Sequence, residues 1–265
     1  MRALAAIWSS LFLLILVAAP ALAQSADQQR ALCVNSSGSY SHDQVISGCS
    51  TLIQNGQASN LSLSIAYNNR GLAYQEKQDW NRAIADHDET IRLYPQYARA
   101  YYNRGNAYKA KQDLTRAIAD YDQAIRLNPQ YANAYNNRGN AHRTRRDLNR
   151  AIADFDQAIR LKPRNVISYI NRGIAYAGTG NHVRAIADFS EAIRLNPQDA
   201  DGYIDRGNSY KAKRDLTRAI ADYDQAIRLN PQYARVYNNR GLALIALGRN
   251  AEGEADIAKA KELAK

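Results

Sequence analysis

An all-α fold, a solenoid of six tandem 34-residue helix-turn-helix repeats behind a disulfide-tied N-terminal cap, is predicted by three observations. Glycines recur every 34 residues at Gly71, Gly105, Gly139, Gly173, Gly207 and Gly241. Prolines keep the same step at Pro95, Pro129, Pro163, Pro197 and Pro231. Between each glycine and the next proline, apolar residues follow a helical period twice, with a polar break between. The composition, 46% hydrophobic and 23% charged over 265 residues, is that of a folded, water-soluble protein.

Residues 1–23 are expected to be a secretory signal peptide. Arg2 precedes the apolar run AAIWSSLFLLILVAAPALA, which closes on the small-x-small pattern Ala21-Leu22-Ala23. The run is nearly long enough to be retained as a membrane anchor, but Pro20 and the Ala-x-Ala ending favour cleavage after Ala23. The mature chain then begins at Gln24 and carries no transmembrane segment.

Residues 24–63 read as the cap, with HDQVISGCSTLIQNG resembling an isolated second helix of a repeat. Cys33 and Cys49 both lie here. An even pair close in sequence, in an exported chain, predicts a disulfide, and closing so short a loop stabilises by about 3 kcal/mol in the chain-entropy view.

Six units follow, at 64–97, 98–131, 132–165, 166–199, 200–233 and 234–265. In the second, Tyr101, Gly105 and Tyr108 lie on one face of a first helix. Lys111-Gln112-Asp113-Leu114 breaks it, and Ala117, Ile118, Tyr121, Ala124, Ile125 and Leu127 form the apolar face of a second helix. Asn128-Pro129 stops that helix, because the residue before proline is pushed out of the helical region. Such units cannot bury their apolar faces alone, so they stack. The last unit is atypical at Leu244, Gly253 and Ile257, and its polar second helix suits a solvated end.

Tyr101, Gly105, Tyr108, Ala117, Tyr121, Ala124 and Pro129 resemble the tetratricopeptide repeat, and Tyr169, Gly173, Tyr176, Ala185, Phe189, Ala192 and Pro197 repeat the pattern. The first aromatic is Tyr where the family usually has Trp, and Arg precedes the glycine where Leu is usual. The resemblance implies a right-handed α-solenoid whose inner, concave face takes up protein segments.

Each unit carries a polar triplet, such as Asn103-Arg104-Gly105. A helical wheel places the arginine on the flank of the core, where a guanidinium needs a charge partner. Arg70, Arg104, Arg138, Arg172, Arg206 and Arg240 are therefore expected to brace the paired helices through carboxylates such as Asp120 and Asp122. The asparagine points away from the core. Asn69, Asn103, Asn137, Asn171, Asp205 and Asn239 are expected to form a ladder on the inner face, with Asn106, Asn140 and Asn208 as a second row. An amide donates and accepts, which suits the backbone of an extended peptide, and the resemblance implies that use. Solvation of an exposed helix face is the alternative. The family's clamp for C-terminal carboxylates is incomplete, and Ile167, Ile170 and Ile174 instead give the fourth unit an apolar inner patch.

Lys109, Lys111, Arg143, Arg145, Arg146, Lys211, Lys213 and Arg214 gather near the turn inside each unit, and stacking is expected to align them as a basic edge. The net charge of +10 points to an anionic partner, and export argues against nucleic acid. No catalytic constellation, metal-ligand spacing or cofactor loop is recognisable, and His87 and His142 replace core aromatics. The sequence predicts a non-enzymatic scaffold, without cofactor, in the bacterial periplasm. Its expected partner is another protein offering an extended or acidic segment. The alternatives are a binder of anionic envelope polymers and a non-catalytic subunit of an envelope assembly or secretion complex.

Overall fold

The computed structural model describes residues 27–35, 38–55 and 58–264. The expected signal peptide lies outside them. The chain divides into two compact units, ending and beginning at Pro129 and Gln130. The described residues form helices and no strand.

The first unit holds α1 (27–34), α2 (His42–Gln54), α3 (Asn60–Glu76), α4 (Trp80–Leu93), α5 (Ala98–Ala110) and α6 (Leu114–Leu127). The Cys33–Cys49 disulfide ties α1 to α2. Both cysteines are buried with Val45, Ala66 and Ala73, so the cap shares a core with α3. The second unit holds α7 (Ala132–Thr144), α8 (Leu148–Leu161), α9 (Val166–Gly178), α10 (His182–Leu195), α11 (Ala200–Ala212), α12 (Leu216–Leu229), α13 (Ala234–Ala246) and α14 (Asn250–Leu263). In each unit the helices pair as tandem hairpins, α3 with α4, α5 with α6, and so on to α13 with α14.

The local signals explain the boundaries. The second helices α4 to α12 start at a capping side chain: Asp113 accepts from the Arg116 N–H at 3.0 Å, and Asp79, Asp147, Asn181 and Asp215 do the same in their hairpins, whereas α14 has no such cap. They stop two residues before each proline. No helix among the described residues is long and apolar enough to cross a membrane.

The turn between paired helices has one residue in the left-handed region. It is glycine at Gly180 and Gly248, but Gln78, Gln112, Arg146 and Arg214 occupy it elsewhere, with Arg146 at φ 63°. A Cβ in that region is strained. Replacing Arg146 by Gly is expected to raise stability by about 0.5–1 kcal/mol, measured as the shift of the urea unfolding midpoint.

Between paired helices the core is an aromatic ring laid on a glycine. Tyr121, Phe155, Phe189 and Tyr223 are fully buried on the second helices, facing Gly105, Gly139, Gly173 and Gly207. His87 takes this place in the first hairpin, and burial lowers its pKa to about 3, so it packs as a neutral ring. In the last hairpin no ring intervenes: a Cβ on Gly241 would lie 2.7 Å from the Gly253 carbonyl, so the two backbones touch directly.

Candidate functional site

Within each unit, the backbones of first helices of consecutive hairpins approach one another (α3 with α5; α7 with α9, α9 with α11, α11 with α13), whereas among the described residues those of consecutive second helices do not. The first-helix side is therefore the shorter, inner side of each unit.

The arginines of the triplet stand behind that face. Each makes a two-bonded pair with an aspartate of its own second helix: Arg70 with Asp86, Arg104 with Asp120, Arg138 with Asp154, Arg172 with Asp188, Arg206 with Asp222 and Arg240 with Asp256. Bidentate guanidinium–carboxylate pairs are geometrically specific and strong. Each guanidinium also lies against a tyrosine three residues earlier, Arg172 over Tyr169 at 5.7 Å. Asp122-type residues do not share the pair as expected. They serve the next hairpin: Arg104 reaches Asp88 at 2.6 Å, Arg172 reaches Asp156 at 2.7 Å and Arg240 reaches Asp224 at 2.6 Å. Serine takes that place for Arg70 (Ser50) and Arg206 (Ser190). Arg104, Arg172, Arg206 and Arg240 thus each fasten their own hairpin and the one before it, and Arg70 fastens its hairpin to α2.

The asparagine ladder differs from the expectation of an open face. Asn103 is only 4% exposed and donates to Asn68 Oδ1 at 3.0 Å. Asn171, 8% exposed, donates to Asn136 Oδ1 at 3.2 Å. Asn69 donates to the Cys33 carbonyl at 3.2 Å, and Asn239 to Asn208 Oδ1 at 3.1 Å. Asn137 is half-buried on α7. A wheel drawn for one hairpin shows these residues pointing away from their own partner helix, but the neighbouring first helix covers that direction.

The second row is also engaged. Asn106 and Asn208 accept the hydroxyl protons of the core tyrosines Tyr121 and Tyr223 at 2.8 Å. Asn140, opposite Phe155, instead accepts from Arg143 at 3.0 Å. A signal for the first of these links was present in the sequence: where the ring is tyrosine, the residue after the glycine is asparagine.

Asp205 departs from its five sister positions. Its carboxylate has neither a hydrogen bond nor an ion pair among the described residues, and burial pushes its pKa up to about 6, with Asp201 and Asp199 adding to the rise and Arg235 opposing it. Because this acid ionises less readily folded than unfolded, stability is fully present below the unfolded pKa near 4 and falls as pH rises through about 6. Replacing Asp205 by Asn is expected to raise stability at pH 7 by about 1–2 kcal/mol, allowing for residual solvation. The gain should vanish below about pH 4. Chemical denaturation at the two pH values checks both statements.

The basic edge separates into two groups. Lys111, Arg145, Arg146, Lys213 and Arg214 are exposed in the turns. Lys109, Arg143 and Lys211 lie in the last turn of α5, α7 and α11 and are half-buried, and burial lowers the Lys109 pKa. The neighbouring arginines are held in place. Arg116 pairs with its capping residue Asp113 at 2.6 Å and covers the Tyr108 ring at 4.3 Å, and Arg218 lies over Tyr210 at 4.5 Å.

Comparison with known proteins gives a consistent result. The TPR repeat matches residues 105–144 and 207–248, and the tetratricopeptide repeat matches 136–200 and 234–265. No curated protein sequence matches the chain. The chain is similar to the crystal structure of MamA (25% identity, TM-score 0.60, covering 63% of this chain and 91% of MamA). It is also similar in fold to YrrB, described as a TPR protein with an unusual peptide-binding site (22% identity, TM-score 0.61, covering 76% and 97%). A tetratricopeptide repeat protein from Parabacteroides merdae shares the fold at 19% identity and TM-score 0.67, covering 91% and 94%.

Proposed function

Because the chain belongs to the tetratricopeptide-repeat family, we propose that it is an exported, non-catalytic interaction scaffold of the bacterial periplasm that holds an extended segment of a partner protein on its first-helix face. The observation that supports this reading is the presence of exposed aliphatic side chains on first helices of the second unit. Ile167 on α9 is 60% exposed and Leu242 on α13 is 47% exposed. Aliphatic groups left open on an inner face suit the side chains of a bound segment. YrrB's described peptide-binding site supports the reading by likeness of fold. Export is supported by the expected signal peptide and by a buried disulfide, which persists in oxidising compartments.

A photo-crosslinking side chain placed at Ile167 in cells is expected to trap a protein partner, whereas one at the turn residue Arg145 traps little. Crosslinks from Arg145 alone, lost at high salt, would instead favour binding of anionic polymers at the basic edge. Fractionation adds a second check, since the chain should leave the cell by osmotic shock with Gln24 as its first residue.

A further inference from the structure

At one position of the first helix the six repeats place an amide five times and a carboxylate once, at Asp205. Two of the amides show the register of this position. Asn103 and Asn171 each donate to an asparagine 35 residues earlier in the chain. The same step from Asp205 leads to Ile170, whose side chain has nothing to donate. No substitute has filled the gap. Arg235, the cation that acts on Asp205, stays with Asp201 at 3.6 Å and the Tyr233 hydroxyl at 3.4 Å. The raised pKa records the result: a half-buried carboxylate in want of a positive partner.

By the register of Asn103 with Asn68 and Asn171 with Asn136, Asp205 is set against an aliphatic stretch of α9. Ile170 and Ile174 are half-buried on α9, and Ile167 stands largely in solvent. A negative point next to an apolar wall matches lysine and arginine, which lay a hydrocarbon stem on apolar surface while the head meets a charge. An acidic side chain would meet repulsion here, and a neutral one would leave the carboxylate unpaired.

We propose that Asp205, with Ile167 and Ile170, forms a subsite for a lysine or arginine side chain of the bound segment. This rests on the scaffold reading above and adds the charge of the partner at one point of the face. The net charge of the chain suggests an acidic partner, whereas at this subsite the complementary group is basic.

The test is selection of peptides from a random dodecapeptide display library by the purified mature protein, by its Asp205→Asn and Asp205→Lys variants, and by an Arg145→Glu/Arg146→Glu control. The wild type and the control are expected to enrich peptides with a basic residue beside an aliphatic one. Asp205→Lys should shift the enrichment from basic to acidic residues. Asp205→Asn, which restores the residue found in the sister positions and is expected to fold, should weaken binding of the wild-type peptides by about tenfold or more. Enriched peptides without a basic residue, or equal binding by wild type and Asp205→Asn, would overturn the subsite and leave the scaffold reading standing. Failure of the wild type to enrich any peptide would overturn both.

Discussion

Replacing Arg172 by Leu is expected to destabilise the protein by about 2–4 kcal/mol. The substitution strands two carboxylates: Asp188, nearly buried and bonded through both oxygens, and Asp156 of the preceding hairpin. A buried charge without its partner is far more costly than the net value of the pair. Two controls locate the effect. Removing both partners in Arg172→Leu/Asp188→Leu should recover much of the loss, because no charge is then left in the core at that point. Arg206→Leu should cost less than Arg172→Leu, since its second contact is the neutral Ser190. Urea unfolding followed by circular dichroism reads all three. Arg172→Leu should also lower the m-value, because the brace couples hairpins whose cooperativity depends on neighbour contacts. A variant as stable as the wild type would show that the arginine is a solvated flank and not a brace.

The second large effect is expected at Gly139. A methyl group there would lie 2.7 Å from Cε1 of Phe155 and about as close to two further ring carbons. The ring is fully buried, so the added methyl group must displace packed core atoms. Gly139→Ala should therefore cost about 1–3 kcal/mol through overpacking, despite the higher helix propensity of alanine. Shortening the ring in Gly139→Ala/Phe155→Leu should recover part of the loss, and the pair should be non-additive in a double-variant cycle. An alanine that stabilised the protein would mean that α7 and α8 are not held at this separation.

The stability predictions and the binding proposal meet at Asp205. Its carboxylate, with its pKa raised by burial, is expected to lower stability at neutral pH relative to the asparagine of the sister positions. A group that weakens the fold without a local partner is the kind of residue that a binding surface retains.

How much of this was legible depended on how far each residue's partners lie along the chain. The period of 34, the prolines and the glycines are local signals repeated six times, and they determined the helical hairpins, their order and their ends. The cysteine pair determined the cap in the same way. The bracing role of the arginines was legible too, since a charge beside an apolar stripe needs a counter-charge wherever the chain finds one. Which aspartate answers was not. Asp120 and Asp122 are two residues apart, so about 200° of helix turn separates them. Asp120 meets Arg104 of its own hairpin; the equivalents of Asp122 in other hairpins, Asp88, Asp156 and Asp224, meet the arginine of the following one.

The asparagines were the harder case. A single-helix wheel gives direction relative to the helix's own partner and carries nothing about the helix stacked alongside. Asn103 and Asn171 looked open by that measure and are closed by an amide from the preceding hairpin. Lys109, Arg143 and Lys211 looked like turn residues and belong to the last turn of their helices, half-buried. The sequence by itself thus determined the repeat, its hairpins and the need for charge pairing, because these follow from periodicity and desolvation within one unit. Only the tertiary structure decided which polar groups remain available to a partner. That is set by stacking between hairpins, where one neighbour supplies a hydrogen bond to Asn171 and another leaves Asp205 without one.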